Sequence, residues 1–170
     1  MMAAETEKSL VLTKSQVEQK IRRIAFEIYE HNFKEKVVIV AGIDGQGYLL
    51  AQLIAKQLEA ISPIEAKLVK VSLDKLAPSQ SEVTIDSDEK EIKRKCIILV
   101  DDVLNTGKTI AFGMKPFLNV ELKKIEVAVL VNRSHTLFPI LPTYTGFELS
   151  TTLNEHVEVM LGKKAAVYLH

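Results

Sequence analysis

Apolar positions along the chain recur with helical spacing in three segments. The first opens with the capping-box sequence Thr13-Lys14-Ser15-Gln16 and keeps one apolar face through about Tyr29. The second covers residues 48–60, and the third runs from about 108 to 118. Pro116 is expected to end or kink that third helix, because proline lacks the N–H that a helix interior requires.

Short, unbroken apolar runs lie between and after these helical segments, and they predict strands. A run that is apolar on both faces suits a central strand of a parallel sheet covered by helices. The alternation of strands and helices therefore predicts an α/β fold, in which a parallel twisted sheet is flanked by helices. The predicted strands cover residues 37–41, 64–71, 96–100, 125–131, 157–161 and 165–169.

Two segments lack the apolar residues that a packed core needs. Residues 74–95 are rich in charge and serine, which predicts a flexible loop or an exposed hairpin around Glu82-Val83-Thr84-Ile85. Residues 1–12 are predicted to form a flexible N-terminal segment. Because the chain shows no internal repeat and no linker, we expect residues 1–170 to form a single domain.

Composition narrows the class of protein. The 170 residues include 22 basic and 22 acidic ones, a balance that argues against a broad cationic surface for nucleic acid. Cys96 is the only cysteine, so an intrachain disulfide is excluded and a core position is expected for it. The chain has neither an apolar run of roughly 18–20 residues nor the features of a secretory signal. We therefore expect a cytoplasmic protein that does not contact membranes.

The segment after the apolar run 96–100 carries the most specific chemistry. It reads Asp101-Asp102-Val103-Leu104-Asn105-Thr106-Gly107-Lys108-Thr109, which places two carboxylates at a strand end and hydroxyls at a helix start. Free N–H groups and hydroxyls at a helix start suit a phosphate, whereas paired carboxylates suit sugar hydroxyls or a divalent cation. A sugar phosphate offers both kinds of group. An acidic strand end followed by an N-capping threonine is the alternative interpretation.

A second special turn, Gly42-Ile43-Asp44-Gly45-Gln46-Gly47, follows the apolar run 37–41. Because ligands of parallel α/β sheets bind at the carboxyl ends of the strands, we expect the two turns to face one crevice. Neither turn has a nucleotide-binding fingerprint. Asp102 stands where a Walker A loop needs glycine, and the glycines of residues 42–47 have the reverse of the G-x-G-x-x-G spacing.

Residues 97–109 resemble the phosphoribosyl pyrophosphate signature of type I phosphoribosyltransferases, in which four apolar residues, two acids and a short turn precede Thr-Gly-x-Thr. The likeness extends loosely over residues 15–165. It is strongest to the group of bifunctional pyrimidine operon attenuators and uracil phosphoribosyltransferases. The resemblance implies a type I phosphoribosyltransferase-like fold with a small hood region. It also implies phosphoribosyl transfer to a nitrogen base, uracil first, with Mg²⁺ as cofactor and a homo-oligomeric state.

The resemblance also implies roles for individual residues. Asp101 and Asp102 would be the catalytic pair, holding the ribose hydroxyls directly or through Mg²⁺. Residues 42–47 would form the pyrophosphate loop, and residues 74–95 the loop that closes over the substrate. Arg133 and Tyr144 would contact the base in a hood made of residues 132–135 and 144–148. The other implied substrate-binding residues are Leu104, Asn105, Thr106, Gly107, Lys108 and Thr109 around the phosphate, and Gly42, Ile43, Asp44, Gly45 and Gln46 around the pyrophosphate.

Two positions depart from that group. The pyrophosphate loop contains Asp44 and no basic residue, and Ser72-Leu73-Asp74-Lys75 stands where an arginine before an acidic pair is usual. Lys75, Lys90 and Lys93 are the nearby candidates to replace that arginine. Two other functions therefore stay open. One is a non-catalytic regulator that senses the sugar phosphate or a nucleotide and binds RNA; the other is a structural protein that binds no ligand.

Further basic residues and histidines have several interpretations. An RNA-binding face would form if the run Lys93-Arg94-Lys95 joined Arg22 and Arg23 across a dimer. His135 is either a base contact or a solvated loop residue. His31 and His156 are interpreted as surface or capping residues.

Overall fold

The computed structural model describes residues 7–77 and 82–170. Within them the elements are, in chain order, β1 (Ser9–Leu12), α1 (Lys14–Asn32), β2 (Val37–Ile43), α2 (Gln46–Ile61), β3 (Glu65–Ser72), β4 (Thr84–Ile85), α3 (Glu89–Ile92), β5 (Cys96–Leu104), α4 (Lys108–Gly113), α5 (Lys115–Leu118), β6 (Lys124–Asn132), β7 (Tyr144–Glu148), β8 (Val157–Met160) and β9 (Ala166–Leu169). The larger sheet has the strand order β4-β3-β2-β5-β6-β7, and a smaller sheet has the order β1-β9-β8.

The strands at the centre of the larger sheet are parallel, which confirms the predicted fold class. Strand β2 pairs in parallel with β3 and β5, and β6 pairs in parallel with β5 and β7. The edge strand β4 is antiparallel to β3. The carboxyl ends of β2, β5 and β6 therefore lie at one edge of the sheet, where the chain leaves each strand for a loop or a helix.

Burial on both faces explains why the strand sequences are unbroken apolar runs. In β5, Ile98 and Val100 pack in the core that includes residues of α1 and α2. The alternate residue Leu99 packs in the core on the other face, together with Ile110 of α4 and Phe117 of α5. Successive strand residues point to opposite faces, so every residue of a central strand that is covered on both sides is buried and apolar residues are favoured at each position.

The local signals at two helix ends are confirmed. The backbone N–H of Thr13 donates to Gln16 Oε1 at 2.9 Å, and the N–H of Gln16 donates to Thr13 Oγ1 at 3.2 Å, which completes the capping box of α1. The third predicted helix is divided, since α4 ends at Gly113 and Pro116 lies at the start of the separate short helix α5.

Two segments that are predicted to be flexible contain regular structure, and for residues 74–95 an exposed hairpin is the alternative prediction. Residues 9–12 form β1, because Leu10 and Leu12 pair with β9 and Leu12 is buried. In the segment 74–95, β4 pairs with the end of β3, and α3 follows it, its last residue Ile92 fully buried. Residues 1–6 and 78–81 lie outside the described residues.

The residues predicted to form a hood lie within or beside the larger sheet. Residues 144–148 form β7, the edge strand of the larger sheet, whereas the small separate sheet consists of β1, β9 and β8. Cys96 is a buried free thiol at the start of β5, as expected. Among the described residues, the helices are too short or too polar to cross a membrane.

Candidate functional site

Strand β5 continues beyond its apolar run and carries both acidic residues at its carboxyl end. Asp101 is 2% exposed, and Asp102 is partly exposed. Asp101 Oδ1 accepts hydrogen bonds from the backbone N–H of Asp102 at 2.9 Å and from Nζ of Lys75 at 3.3 Å. The buried carboxylate is thus held by two donors, while the carboxylate of Asp102 is the more accessible one.

The environment of Asp101 disfavours its charged form. The pKa of Asp101 is raised to about 8, first by burial, because the carboxylate loses its hydration inside the protein, and second by repulsion from the neighbouring Asp102 carboxylate. The Lys75 ammonium opposes this rise. A further cation placed beside the pair would favour ionisation of Asp101. The two acids are therefore suited to receiving positive charge from a ligand.

The turn between β5 and α4 is folded around Thr106. Its Oγ1 accepts a hydrogen bond from the N–H of Lys108 at 3.2 Å, and its carbonyl accepts one from the N–H of Leu137 at 2.8 Å. Gly107 has φ of 87°, and a Cβ there would lie 3.1 Å from Cγ1 of Ile140, so both backbone and space favour glycine. The N-cap of α4 is Gly107 and no side chain caps the helix, so Thr106 is not the N-capping threonine of the alternative interpretation. A hydroxyl that accepts one bond still has its own O–H to donate.

The acidic pair and this turn line one pocket of about 380 Å³. Its walls come from the end of β5, the turn that follows, the segment after β3 and the start of β8. The volume is in the range of small-ligand sites. The lining residues are Lys75, Asp101, Asp102, Val103, Leu104, Asn105, Thr106, Gly107, Lys108, Thr109, Ile110, His156 and Val157.

The glycine-rich turn between β2 and α2 lies beside the acidic pair. A Cβ on Gly47 would lie 2.8 Å from Oδ1 of Asp101, so the start of α2 approaches the carboxylate as closely as glycine permits. Asp44 Oδ1 accepts a hydrogen bond from the N–H of Gly45 at 2.9 Å. The side chain of Ile43 is buried in the core, so its backbone is the part that can face a ligand. The role of this turn as the pyrophosphate loop stays a prediction.

Of the three lysines predicted to replace the missing arginine, Lys75 reaches the pocket. Lys90 and Lys93 line a different hollow, beside α3. A further lysine, Lys108, donates from Nζ to the carbonyl of Ala77 at 3.1 Å. Two lysines thus connect the segment after β3 with the pocket: Lys75 bonds to Asp101, and Lys108, the first residue of α4, bonds back to Ala77.

Arg133, which is predicted to contact the base, hydrogen-bonds to partners within the chain. Its Nη1 donates to Asn105 Oδ1 at 2.8 Å, and its Nε donates to Thr151 Oγ1 at 3.0 Å. Its Nη2 donates to the carbonyls of Glu155 at 2.7 Å and Thr152 at 3.3 Å. The guanidinium therefore joins two loops of the pocket wall, and its contact with a base stays a prediction.

Tyr144, which is predicted to contact a base, lies outside the lining of the pocket. The Tyr144 side chain is fully buried, and its hydroxyl donates to Glu126 Oε1 at 2.9 Å, near the amino end of β6. Asn32 also donates to that carboxylate oxygen, and Nδ1 of His31 lies 3.0 Å from the Tyr144 hydroxyl. Burial raises the pKa of Tyr144 above its usual value, and the Glu126 carboxylate adds to the rise. Glu126 pairs with Ile98, so this cluster lies nearer the amino ends of the strands than Asp101, which pairs with Val129.

His156 is a pocket residue that sequence reasoning missed. It stands just before β8, and its backbone exchanges two hydrogen bonds with His170, at 2.6 and 2.9 Å. The two imidazole rings meet edge to face, with centroids 5.3 Å apart. No local pattern distinguishes this histidine, because it reaches the pocket only through the pairing of β8 with β9.

Solved structures of known proteins share this architecture. The hypoxanthine phosphoribosyltransferase of Trypanosoma cruzi superimposes with a TM-score of 0.78 at 9% identity, and 95% of each chain is covered. A hypoxanthine-guanine phosphoribosyltransferase of Bacillus anthracis gives 0.69 at 17% identity, covering 83% of this chain and 82% of that one. At these identities the likeness shows the fold, which is that of the type I phosphoribosyltransferases.

Sequence comparison agrees. The chain belongs to the family described as phosphoribosyl transferase domain, which matches residues 9–161. It is 34% identical over 163 residues to the bifunctional protein PyrR of Clostridium botulinum, covering 92% of this chain and 91% of that protein. It is 30% identical over 170 residues to the bifunctional protein PyrR of Leuconostoc mesenteroides, with 94% and 97% covered. The resemblance found in residues 97–109 is confirmed.

Proposed function

We propose that this protein transfers the phosphoribosyl group of phosphoribosyl pyrophosphate to a pyrimidine base, with uracil as the first candidate. Family membership supports the class of reaction, and the likeness to the pyrimidine attenuator group supports the base. The observation that carries the proposal is the shared pocket of about 380 Å³, in which the acidic pair meets the turn from Thr106 to Thr109. One end suits sugar hydroxyls, and the other suits a phosphate.

The residues of the pocket divide the work of substrate binding. Asp102, the more accessible acid, accepts hydrogen bonds from the ribose hydroxyls, while Thr106 and Thr109 donate to the 5′-phosphate together with N–H groups of their turn. In the reaction, the bond from the anomeric carbon to pyrophosphate breaks with its electron pair on oxygen, and a base nitrogen forms the new bond and loses its proton. The carboxylates stabilise the positive charge that develops on the sugar. Lys75 supplies a cation on the same side of the pocket.

The donor set fits Mg²⁺ when substrate oxygens complete its shell. In the described part of the chain, no three His, Cys, Asp or Glu side chains are grouped to hold a metal ion by themselves. Mg²⁺ in phosphate enzymes is commonly held by one or two carboxylates together with substrate phosphates, and Asp101 and Asp102 are such carboxylates. Bound Mg²⁺ would neutralise the charge of the leaving pyrophosphate.

Pyrophosphate release tests the proposal. Purified protein with phosphoribosyl pyrophosphate and Mg²⁺ is offered uracil, hypoxanthine, guanine, adenine and orotate in parallel. We expect turnover with uracil and its loss in the variant Asp102→Asn. Turnover with a purine instead would correct the base, and no turnover with any base at high protein concentration would overturn the enzymatic proposal.

One observation favours a second candidate, a regulator that binds the sugar phosphate and RNA without efficient catalysis. The pyrophosphate loop offers Asp44 and no basic side chain, which removes an attraction that the leaving group needs. Sequence-selective RNA retention near physiological salt, strengthened by the sugar phosphate, would support this candidate. Absence of retention would remove it. The homo-oligomeric state and the cytoplasmic location stay predictions, and light scattering measures the first.

A further inference from the structure

Arg133 connects two parts of the pocket wall that are far apart in the chain. At one end, its Nη1 donates to Oδ1 of Asn105, in the turn that follows β5, at 2.8 Å. At the other end, its Nε and Nη2 donate to Thr151, Thr152 and Glu155, in the loop between β7 and β8, at 2.7 to 3.3 Å. A single rigid, permanently charged fork therefore bonds to both segments at once.

The backbone around Arg133 is shaped to hold this position. Its N–H donates to the carbonyl of Leu104 at 3.1 Å, which fixes it beside the end of β5. The next residue, Ser134, has φ of 60° although it is not glycine, and its N–H donates to Asn132 Oδ1 at 2.9 Å. A non-glycine residue in the left-handed region costs free energy and persists where its surroundings enforce it.

The loop that Arg133 holds leads directly into the pocket. Glu155 precedes His156, and His156 and Val157 line the pocket opposite the phosphate turn. A second contact, from His135 Nε2 to the carbonyl of Thr151 at 2.6 Å, attaches the same loop to the segment after β6. The placement of His156 therefore depends on where the loop 151–155 is held.

We propose that Arg133 is a positioning residue that couples the phosphate turn to the side of the pocket that receives the base. The inference rests on the proposed function. When the turn from Asn105 to Thr109 binds the 5′-phosphate, the Asn105 end of the bridge becomes fixed, and the loop that carries His156 is fixed with it. Binding of the base then no longer carries the entropy cost of ordering that loop, so the base binds more tightly.

Two ligands separate this coupling from simple phosphate binding. Ribose 5-phosphate contacts the phosphate turn and the acidic pair, whereas uridine 5′-monophosphate carries the base in addition. The Kd of ribose 5-phosphate divided by the Kd of the nucleotide, both measured by calorimetry, reports how much affinity the base adds. We expect Arg133→Lys to lower this ratio by about tenfold, mainly by weakening the nucleotide, because lysine keeps the charge but cannot span both loops.

A double-mutant cycle assigns the effect to the bridge. Asn105→Ala removes its phosphate-side acceptor, and we expect it to lower the ratio in the same direction. The double variant should fall no further than the more affected single variant, because the two residues act through one connection. Lys14→Ala, which removes an exposed cationic side chain at the start of α1, is the control and should leave the ratio unchanged.

The outcomes distinguish this inference from the proposed function. If the wild type binds the nucleotide no more tightly than ribose 5-phosphate, the base does not occupy the pocket and the proposed function fails. If the wild-type ratio is high but Arg133→Lys preserves it, the positioning role is wrong. Equal weakening of both ligands, or independent effects of the two single variants, would also overturn the coupling and leave Arg133 a stabilising residue only.

Discussion

Replacing Asp101 by asparagine should stabilise the folded protein at neutral pH, even though it removes a carboxylate from the pocket. The pKa of Asp101 is raised from 3.8 to about 8 by burial first and by Asp102 second. Between those two pH values the folded state holds a proton that the unfolded state has released. The free energy of unfolding therefore falls as pH rises through this window, by up to about 1.4 kcal/mol per pH unit.

Asparagine has the same shape and carries no charge at any pH, so the variant should lack this decrease. Its Oδ1 can still accept the hydrogen bond from the N–H of Asp102, and its amide can donate to the Asp102 carboxylate. From pH 5 to pH 7, we expect the stability of Asp101→Asn relative to the wild type to increase by about 1 to 3 kcal/mol.

Urea denaturation at the two pH values, with a chelator and without ligand, measures this difference. Asp88→Asn is the matched control, because Asp88 is exposed at the start of α3 and its replacement should not change the pH dependence. The same pH dependence in Asp101→Asn and in the wild type would refute the argument that burial of this carboxylate costs stability.

Three other substitutions test the pocket and the position of Tyr144. Asp102→Asn should raise the Kd of ribose 5-phosphate by about tenfold, because one charge-assisted hydrogen bond is lost, and the melting temperature should stay close to that of the wild type. An unchanged Kd in a calorimetric titration would remove Asp102 from the site. Gly47→Ala places a Cβ 2.8 Å from Asp101 Oδ1 and should cost about 1 to 3 kcal/mol in denaturant titrations, together with sugar-phosphate binding. Tyr144→Phe removes the hydrogen bond to Glu126 and should lower the free energy of unfolding by about 1 to 2 kcal/mol without changing KM for uracil. A raised KM would show that Tyr144 contacts the base.

The sequence was sufficient where a property depends on neighbours in the chain. The run 96–100 is apolar at every position because β5 is covered on both faces, and burial of both faces is visible in the sequence itself. The turn at Gly107 is likewise local, since its φ of 87° concerns one residue. The acidic pair, the turn between β5 and α4 and the parallel sheet could therefore all be predicted.

The sequence was insufficient where a side chain chooses among distant partners. Tyr144 follows a proline-rich loop and could face either edge of the sheet, and its position is decided by Glu126 and Asn32, which lie on β6 and α1. Arg133 was placed at the correct end of β6, but the loop that takes up its donors lies beyond β7. His156 enters the pocket through strand pairing alone. Such contacts carry no periodicity or spacing that a single sequence displays.

The pairing of β1 with β9 has a consequence for the order in which the protein is assembled. Ser9 pairs with Leu169, so this contact closes a loop of almost the whole described chain. Because closing a long loop costs more chain entropy than closing a short one, we expect this pairing to form late in folding. On the ribosome, β2, β3 and β5 are available to pair while β9 is still unsynthesised. The strand β8, which brings His156 to the pocket, has β9 as its partner. In a nascent chain the central strands can therefore pair before the part of the pocket wall that carries His156 is able to form.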